Sequence, residues 1–230
     1  MKHTYARSDM DVVKSQKFTR LCSLTYANTD GEARSERKWE MVQRTTRTIP
    51  VEAFKRSQAP IPIDAVEVCA TVEKAEGTFI IVVAQYRPPL DAISLEFPAG
   101  LVDAGENCGQ AAIRELREET GYSADASSIL SVSPPLSTEP GLTDSCCVLV
   151  RLRINGDLPE NQHPKQLLDD GEDIEVLLIP VGDTQEALNA LLKAAGKYEA
   201  KGQRAVVDAK LYTFMDAMAH MHNSHCCSAL

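Results

Sequence analysis

The stretch that decides the fold runs from Gly100 to Tyr122, GLVDAGENCGQAAIRELREETGY, and it changes character halfway. Its first part is a loop rich in glycine, with Gly100, Gly105 and Gly109. From Asn107 onward, Ala112, Ile113 and Leu116 mark a single apolar stripe, which predicts a helix over Asn107–Thr120. Gly121 follows as its left-handed cap. On that helix Glu115, Glu118 and Glu119 stand at i, i+3 and i+4, so three carboxylates share one patch about a turn long. Two unit charges ~5 Å apart repel by roughly 3 kcal/mol at an effective dielectric of ~20. On a fully hydrated face screening would remove most of this, and Arg114 and Arg117 would simply interleave as surface ion pairs. In a partly closed cleft it would raise carboxylate pKa values unless a cation occupied the site. Hard oxygen donors beside a loop offering carbonyls suit Mg²⁺ or Mn²⁺, which keep waters and are completed by substrate phosphates.

Around this stretch the chain alternates strand and helix patterns without a regular rhythm. Residues 1–17 are polar and expected to be loose. Phe18–Tyr26 and Glu36–Arg47 read as a hairpin, the core of an N-terminal β domain over 18–60. Ser57–Pro62, with Pro60 and Pro62, reads as a linker. Beyond it, 61–215 is expected to form the main domain and 216–230 a tail. Val66–Lys74 and Thr78–Arg87 predict a second hairpin, its later strand buried on both faces through Phe79-Ile80-Ile81-Val82-Val83-Ala84. Ser145–Ile154 and Asp173–Pro180 are further strands, and Thr184–Glu199 and Ala205–His220 read as helices. The class is α/β or α+β around a mixed sheet.

The 230 residues carry 24 Lys+Arg and 33 Asp+Glu, a formal charge of −9. It is uneven: residues 1–60 balance at +5 and residues 61–230 at −14. An acidic body with a basic N-terminal segment argues against general nucleic-acid binding and suits cation binding beside an anion site. No apolar run approaches a membrane span, and the first twenty residues lack a signal-peptide core. With seven cysteines in no metal-type spacing, reduced thiols and a cytoplasmic location are expected. The final Ser228-Ala229-Leu230 is only loosely similar to a peroxisomal tripeptide; that address and a nuclear one stand as secondary alternatives.

Gly100, Glu106 and the run Arg114-Glu115-Leu116-Arg117-Glu118-Glu119-Thr120-Gly121 resemble the Nudix box at every fixed position. The resemblance extends further. Trp39-Glu40-Met41-Val42-Gln43-Arg44-Thr45-Thr46-Arg47, Gln85-Tyr86-Arg87-Pro88-Pro89, Glu96-Phe97-Pro98-Ala99-Gly100-Leu101, Glu139-Pro140-Gly141-Leu142 and Asp170-Gly171-Glu172 are similar to the ADP-ribose/ADP-sugar pyrophosphatase branch of the Nudix hydrolases. The resemblance implies a Nudix α/β/α sandwich and a homodimer that exchanges its small N-terminal β domain. It implies Mg²⁺ or Mn²⁺, two or three ions per site, and hydrolysis of ADP-ribose or other ADP-sugars to AMP and a sugar phosphate.

By the same resemblance Glu115 and Glu119 are the principal metal ligands, with the carbonyl of Ala99 and Glu118 beside them. Gly100, Glu106, Arg114 and Gly121 are structural, Arg114 and Glu106 pairing to hold loop against helix. Glu172 is similar to the loop glutamate that acts as general base; Glu175, in the following strand, is its rival. Trp39 stacks on adenine, or else is core. Phe18 takes a position where relatives carry tryptophan, which puts adenine selectivity in question. Glu40 and Leu101 join the substrate site, and Arg44 and Arg87 offer guanidinium forks to phosphate. Asp64 matches a position near the terminal sugar, or is linker. His220, His222, His225, Cys226 and Cys227 are metal-type residues without a paired second half, and read as tail. Two other readings stay open: a Nudix enzyme for another nucleoside diphosphate derivative, and a silent ADP-ribose-binding module.

Overall fold

A computed structural model describes residues 4–30, 36–46 and 61–223, with side chains to residue 220. In chain order it runs β1 (Tyr5–Ser15), β2 (Thr19–Asn28), β3 (Glu36–Arg44), β4 (Ala65–Lys74), β5 (Gly77–Arg87), β6 (Ala92–Glu96) and β7 (Ala99–Leu101). Then follow α1 (Cys108–Thr120), β8 (Ile129–Val132), β9 (Leu136–Ser137), β10 (Cys146–Asn155), α2 (Pro159–Gln162), β11 (Ile174–Pro180), α3 (Thr184–Glu199), β12 (Ala205–Val207) and α4 (Ala209–Asn223). Two compact units result: Met1–Asp64 with Pro135–Cys147, and Ala65–Pro134 with Val148–Leu230. Arg47, residues 57–60 of the expected linker, and His225, Cys226 and Cys227 lie outside the described residues, as does the side chain of His222.

The first unit is an antiparallel sheet in the order β1-β2-β3. Cys22, Leu24 and Met41 form its small core, with Met10 packed against them. The β2–β3 hairpin follows the expected segments. Tyr5–Ser15 is not loose, however: it pairs along β2 from Tyr5↔Asn28 to Ser15↔Arg20. Strand pairing uses backbone groups, so an edge strand needs few apolar residues. Only Met10 of β1 joins the core, and two register shifts break what alternation there is. The unit is also larger than 18–60, because the returning segment Pro135–Cys147 belongs to it.

The second unit is built on a mixed sheet in the order β12-β6-β5-β4-β10-β8, with β11 on β5 and β7 on β4. The central strand β5 is buried on both faces. Ile80, Val82 and Ala84 pack with Leu188 and Leu191 of α3 and with Leu211 and Met215 of α4. Ile81 and Val83, fully buried, alternate to the opposite face, and α1 packs against β4, β5, β7 and β11. Helices thus cover both faces of the sheet, each fully buried Leu contributing ~1.5–3 kcal/mol. Among the described residues no helix is long and apolar enough to cross a membrane.

Ala205–His220 is not one helix. Ala205–Val207 is a strand parallel to β6, and α4 starts at Ala209. Asp208 makes the break: its Oδ1 accepts from the backbone N–H groups of Lys210 and Leu211, at 2.9 and 3.3 Å. At its far end α4 continues to Asn223, burying Ala219, so 216–223 is helix rather than tail.

The feature that creates a site is a fork along β5. One edge pairs with β11 from Phe79 to Gln85. The other edge is shared, Gly77–Ile80 with β4 and Val83–Arg87 with β6. The chain leaving β6 crosses the fork as Phe97-Pro98, where Pro98 O accepts from Val68 N at 2.8 Å, and then pairs with β4 as β7. Ala99 and Gly100 are held there.

Candidate active site

Helix α1 opens on Asn107, whose side chain accepts from Gln110 N while Gln110 Oε1 accepts from Asn107 N, both at 3.0 Å. It closes on Gly121, at φ +77°, whose N–H donates to Arg117 O. Ala111, Ala112, Leu116 and Thr120 face inward, and Glu115 and Glu119 meet the strand β7 at Gly100 and Ala99. Glu119 is only 5% exposed, and its Oε2 accepts from Ala99 N at 2.9 Å. Burial pushes its pKa up to about 8; the Ala99 bond and Arg87 oppose this, while the charges of Glu115 and Glu172 add to it. Glu115 is likewise raised, by burial first and then, against Arg114, by Glu118 and Glu172.

Gly100 has a steric role, since a Cβ there would overlap the Glu115 carboxylate. Arg114 is the knot of the loop. Its Nε and Nη2 grip the two oxygens of Glu106, each at 2.9 Å, and Nη2 also reaches Leu101 O at 2.9 Å. Its Nη1 donates to Glu115 at 2.7 Å and Glu118 at 3.0 Å. The bond from Arg114 holds Glu106 below the usual carboxylate range. Arg114 is therefore no solvated ion-pair partner on a free helix face: it ties the glycine loop to the helix.

Among the described residues no three His, Cys, Asp or Glu side chains close on a common point. The donor chemistry nonetheless fits a hard divalent cation. Glu119 is desolvated beside two further carboxylates, Glu115 and Glu172, and that repulsion is what a bound Mg²⁺ or Mn²⁺ relieves. Glu118, more exposed, lies on the same helix face.

Glu172 sits in a turn in which Asp169 N donates to its Oε2 at 3.0 Å and its own N donates to Asp169 O at 3.1 Å. Its charge is felt at both Glu115 and Glu119. Glu175 is engaged elsewhere, accepting from the Tyr198 hydroxyl at 2.8 Å. Arg87 ends β5 and forks onto Glu96 through Nε at 2.8 Å and Nη2 at 2.6 Å. They line a cavity of about 480 Å³ with Ser94, Val207 and Asp208. Lys210 Nζ bridges Glu67 and Asp208, at 3.1 and 3.2 Å. Glu96, Asp208 and Lys210 were not picked out as site residues from sequence; the cap at Asp208, an Asp just ahead of an apolar-periodic run, was the available signal.

The remaining expected substrate residues belong to the first unit. Trp39 is 48% exposed, so it is not core, and its indole N–H donates to Gly141 O at 3.1 Å. Gln43, fully buried, accepts from Arg20 and donates to Asp144 at 2.6 Å. Val42 N donates to Leu142 O at 2.8 Å, so the Glu139–Asp144 turn is fastened along β3. Glu40 and Arg44 are exposed on that strand. Phe18 is 69% exposed, with the Lys17 ammonium 4.7 Å over its ring. Asp64 is clamped to Cys146, its N donating to Cys146 O at 2.8 Å and its Oδ2 accepting from Cys146 N at 2.9 Å.

Comparison with known proteins agrees with this architecture. The NUDIX domain matches residues 63–198. A mouse protein named ADP-sugar pyrophosphatase is 34% identical over 214 residues, 93% of this chain and 87% of that one. A Saccharomyces cerevisiae protein named ADP-ribose pyrophosphatase is 32% identical over 216 residues, 92% of this chain and 84% of that one. A Caenorhabditis elegans protein named putative nudix hydrolase 2 is 46% identical over 141 residues, 61% of this chain and 58% of that one. A crystal structure of an ADP compounds hydrolase shares the fold at 18% identity, with a TM-score of 0.53 over 86% of this chain and 96% of that chain. By a domain match covering more than half of its length and relatives aligned along nine-tenths of it, the chain belongs to the NUDIX domain family.

Proposed function

We propose that this chain hydrolyses the pyrophosphate bond of ADP-ribose and related ADP-sugars, releasing AMP and a sugar phosphate. The observation that carries the reading is the buried, proton-hungry Glu119 beside Glu115 and Glu172, with the Arg87 fork nearby. The mouse and yeast relatives, named ADP-sugar pyrophosphatase and ADP-ribose pyrophosphatase, suggest the substrate class.

Glu115, Glu118, Glu119 and the Ala99 carbonyl are the groups that would hold Mg²⁺ or Mn²⁺, two or three ions. When bound, such ions neutralise phosphate oxygens and acidify a water. The chain's own residues do the rest. Glu172 takes the proton of the attacking water as its oxygen bonds to phosphorus and the bridging P–O bond breaks. Glu175, engaged with Tyr198, is less suited to that role. Arg87 spends two of its five N–H donors on Glu96 and keeps three for phosphate. Trp39 offers its exposed indole face to adenine, with Glu40, Arg44 and Phe18 beside the base or phosphates. In this reading two copies pair through the N-terminal β unit, each unit serving the partner's site.

Purified protein with ADP-ribose and Mg²⁺ should release AMP. No turnover across several metals and pH values would end the reading. A monomer in light scattering would remove the shared site.

A further inference from the structure

The segment between α2 and β11 carries Glu172 but has no regular structure of its own. The side chain of Gln166 fastens it at both ends. Its Nε2 donates to Glu119 O, at the C-terminal end of α1, at 2.6 Å, and to Ile174 O, the first residue of β11, at 2.9 Å. Both partners are carbonyls, so only the amide NH₂ can face them, and both of its hydrogens are used. One residue on, Leu167 N donates to Glu118 O at 2.8 Å. One residue back, the Lys165 backbone lies so close to Gly121 that a Cβ there would collide with it. The loop 167–173 is thus closed at its base, one end on the helix that carries the three glutamates and the other at the start of β11.

We propose that Gln166 is a positioning residue for the reaction, acting through Glu172. This inference rests on the reading of Glu172 as the general base. The loop's own bonds set the shape of the Asp169–Glu172 turn, with Gly171 at φ +91°. They do not set its distance from Glu115 and Glu119. Gln166 is the one side chain given bonds to both ends of the loop: the residue it grips on α1 is Glu119 itself, beside the Leu167–Glu118 bond, and the residue it grips on β11 stands two after Glu172. A base displaced by about 1 Å from its water costs up to about a hundredfold in rate.

The test is a double-mutant cycle on the full chain with ADP-ribose and saturating Mg²⁺. Gln166→Met keeps the volume and removes both donors. It should lower kcat about 10- to 100-fold, with KM changed less than about threefold. In Glu172→Gln the base is gone, so adding Gln166→Met should lower kcat no more than about twofold further. Multiplying effects would assign Gln166 to the helix or the fold and overturn the proposal. A Gln166→Met kcat near wild type, with Glu172→Gln strongly impaired, would overturn it while leaving the base assignment intact. A Glu172→Gln enzyme near wild type would instead remove the base assignment, and this inference with it. Should Gln166→Met not fold, Gln166→Asn, whose amide is one methylene too short to span both carbonyls, enters the same cycle.

Discussion

Glu119 and Ala99, twenty positions apart, are joined by one bond: the backbone N–H of Ala99 donates to Glu119 Oε2 at 2.9 Å. That bond places a buried carboxylate of α1 at the fork where β4 and β6 separate along β5, and the chemistry proposed here depends on it.

Replacing Glu119 with Gln keeps an acceptor for Ala99 N and removes the charge. We expect kcat for ADP-ribose to fall at least about a hundredfold while the melting temperature holds or rises. Steady-state kinetics beside a thermal melt checks both; a rate near wild type would take Glu119 out of the metal site.

The raised pKa of Glu119 carries a sign. Its folded value of about 8 stands above the ordinary 4.5, so the folded protein holds this proton more tightly than the unfolded chain. Stability from it is full below about pH 4.5 and is lost as pH climbs towards 8, a loss on the order of a few kcal/mol. In EDTA the melting temperature should therefore fall across that window. Glu119→Gln should flatten the fall, and added Mg²⁺ should offset it by binding the folded state.

Gly100→Ala puts a methyl group where the Glu115 carboxylate lies. The Mg²⁺ concentration giving half-maximal activity should rise at least about tenfold, with a modest loss of stability. Unchanged metal dependence would mean that Glu115 moves aside at no cost.

Arg114→Lys replaces a planar fork with a point charge that cannot serve Glu106, Leu101 O, Glu115 and Glu118 together. A stability loss of about 1–3 kcal/mol in urea unfolding is expected.

Trp39→Ala should raise KM for ADP-ribose at least about fivefold and spare kcat, since base stacking is worth ~1–3 kcal/mol and acts away from phosphorus. Equal losses in kcat would point to damage to the fold instead.

Helix α1, its Gly121 cap, the two hairpins and strand β5 were legible from residue pattern alone, because each is dictated within a dozen residues by periodicity and turn chemistry. So were the glutamate patch and the Arg114–Glu106 pairing, carried by spacing and family resemblance. β1 was not, since an edge strand stabilised by backbone bonds needs no apolar period, and β12 was hidden because Ala205-Val206-Val207 continues smoothly into a helical run. Beyond the Arg114–Glu106 pair, tertiary structure decided which polar groups meet. That Glu119 is dry, that Arg87 grips Glu96, that Glu175 turns to Tyr198 and that Gln166 ties the Glu172 loop to α1 all depend on segments far apart in the chain. Desolvation and hydrogen-bond geometry arise only once those segments pack, and no local pattern of residues encodes them.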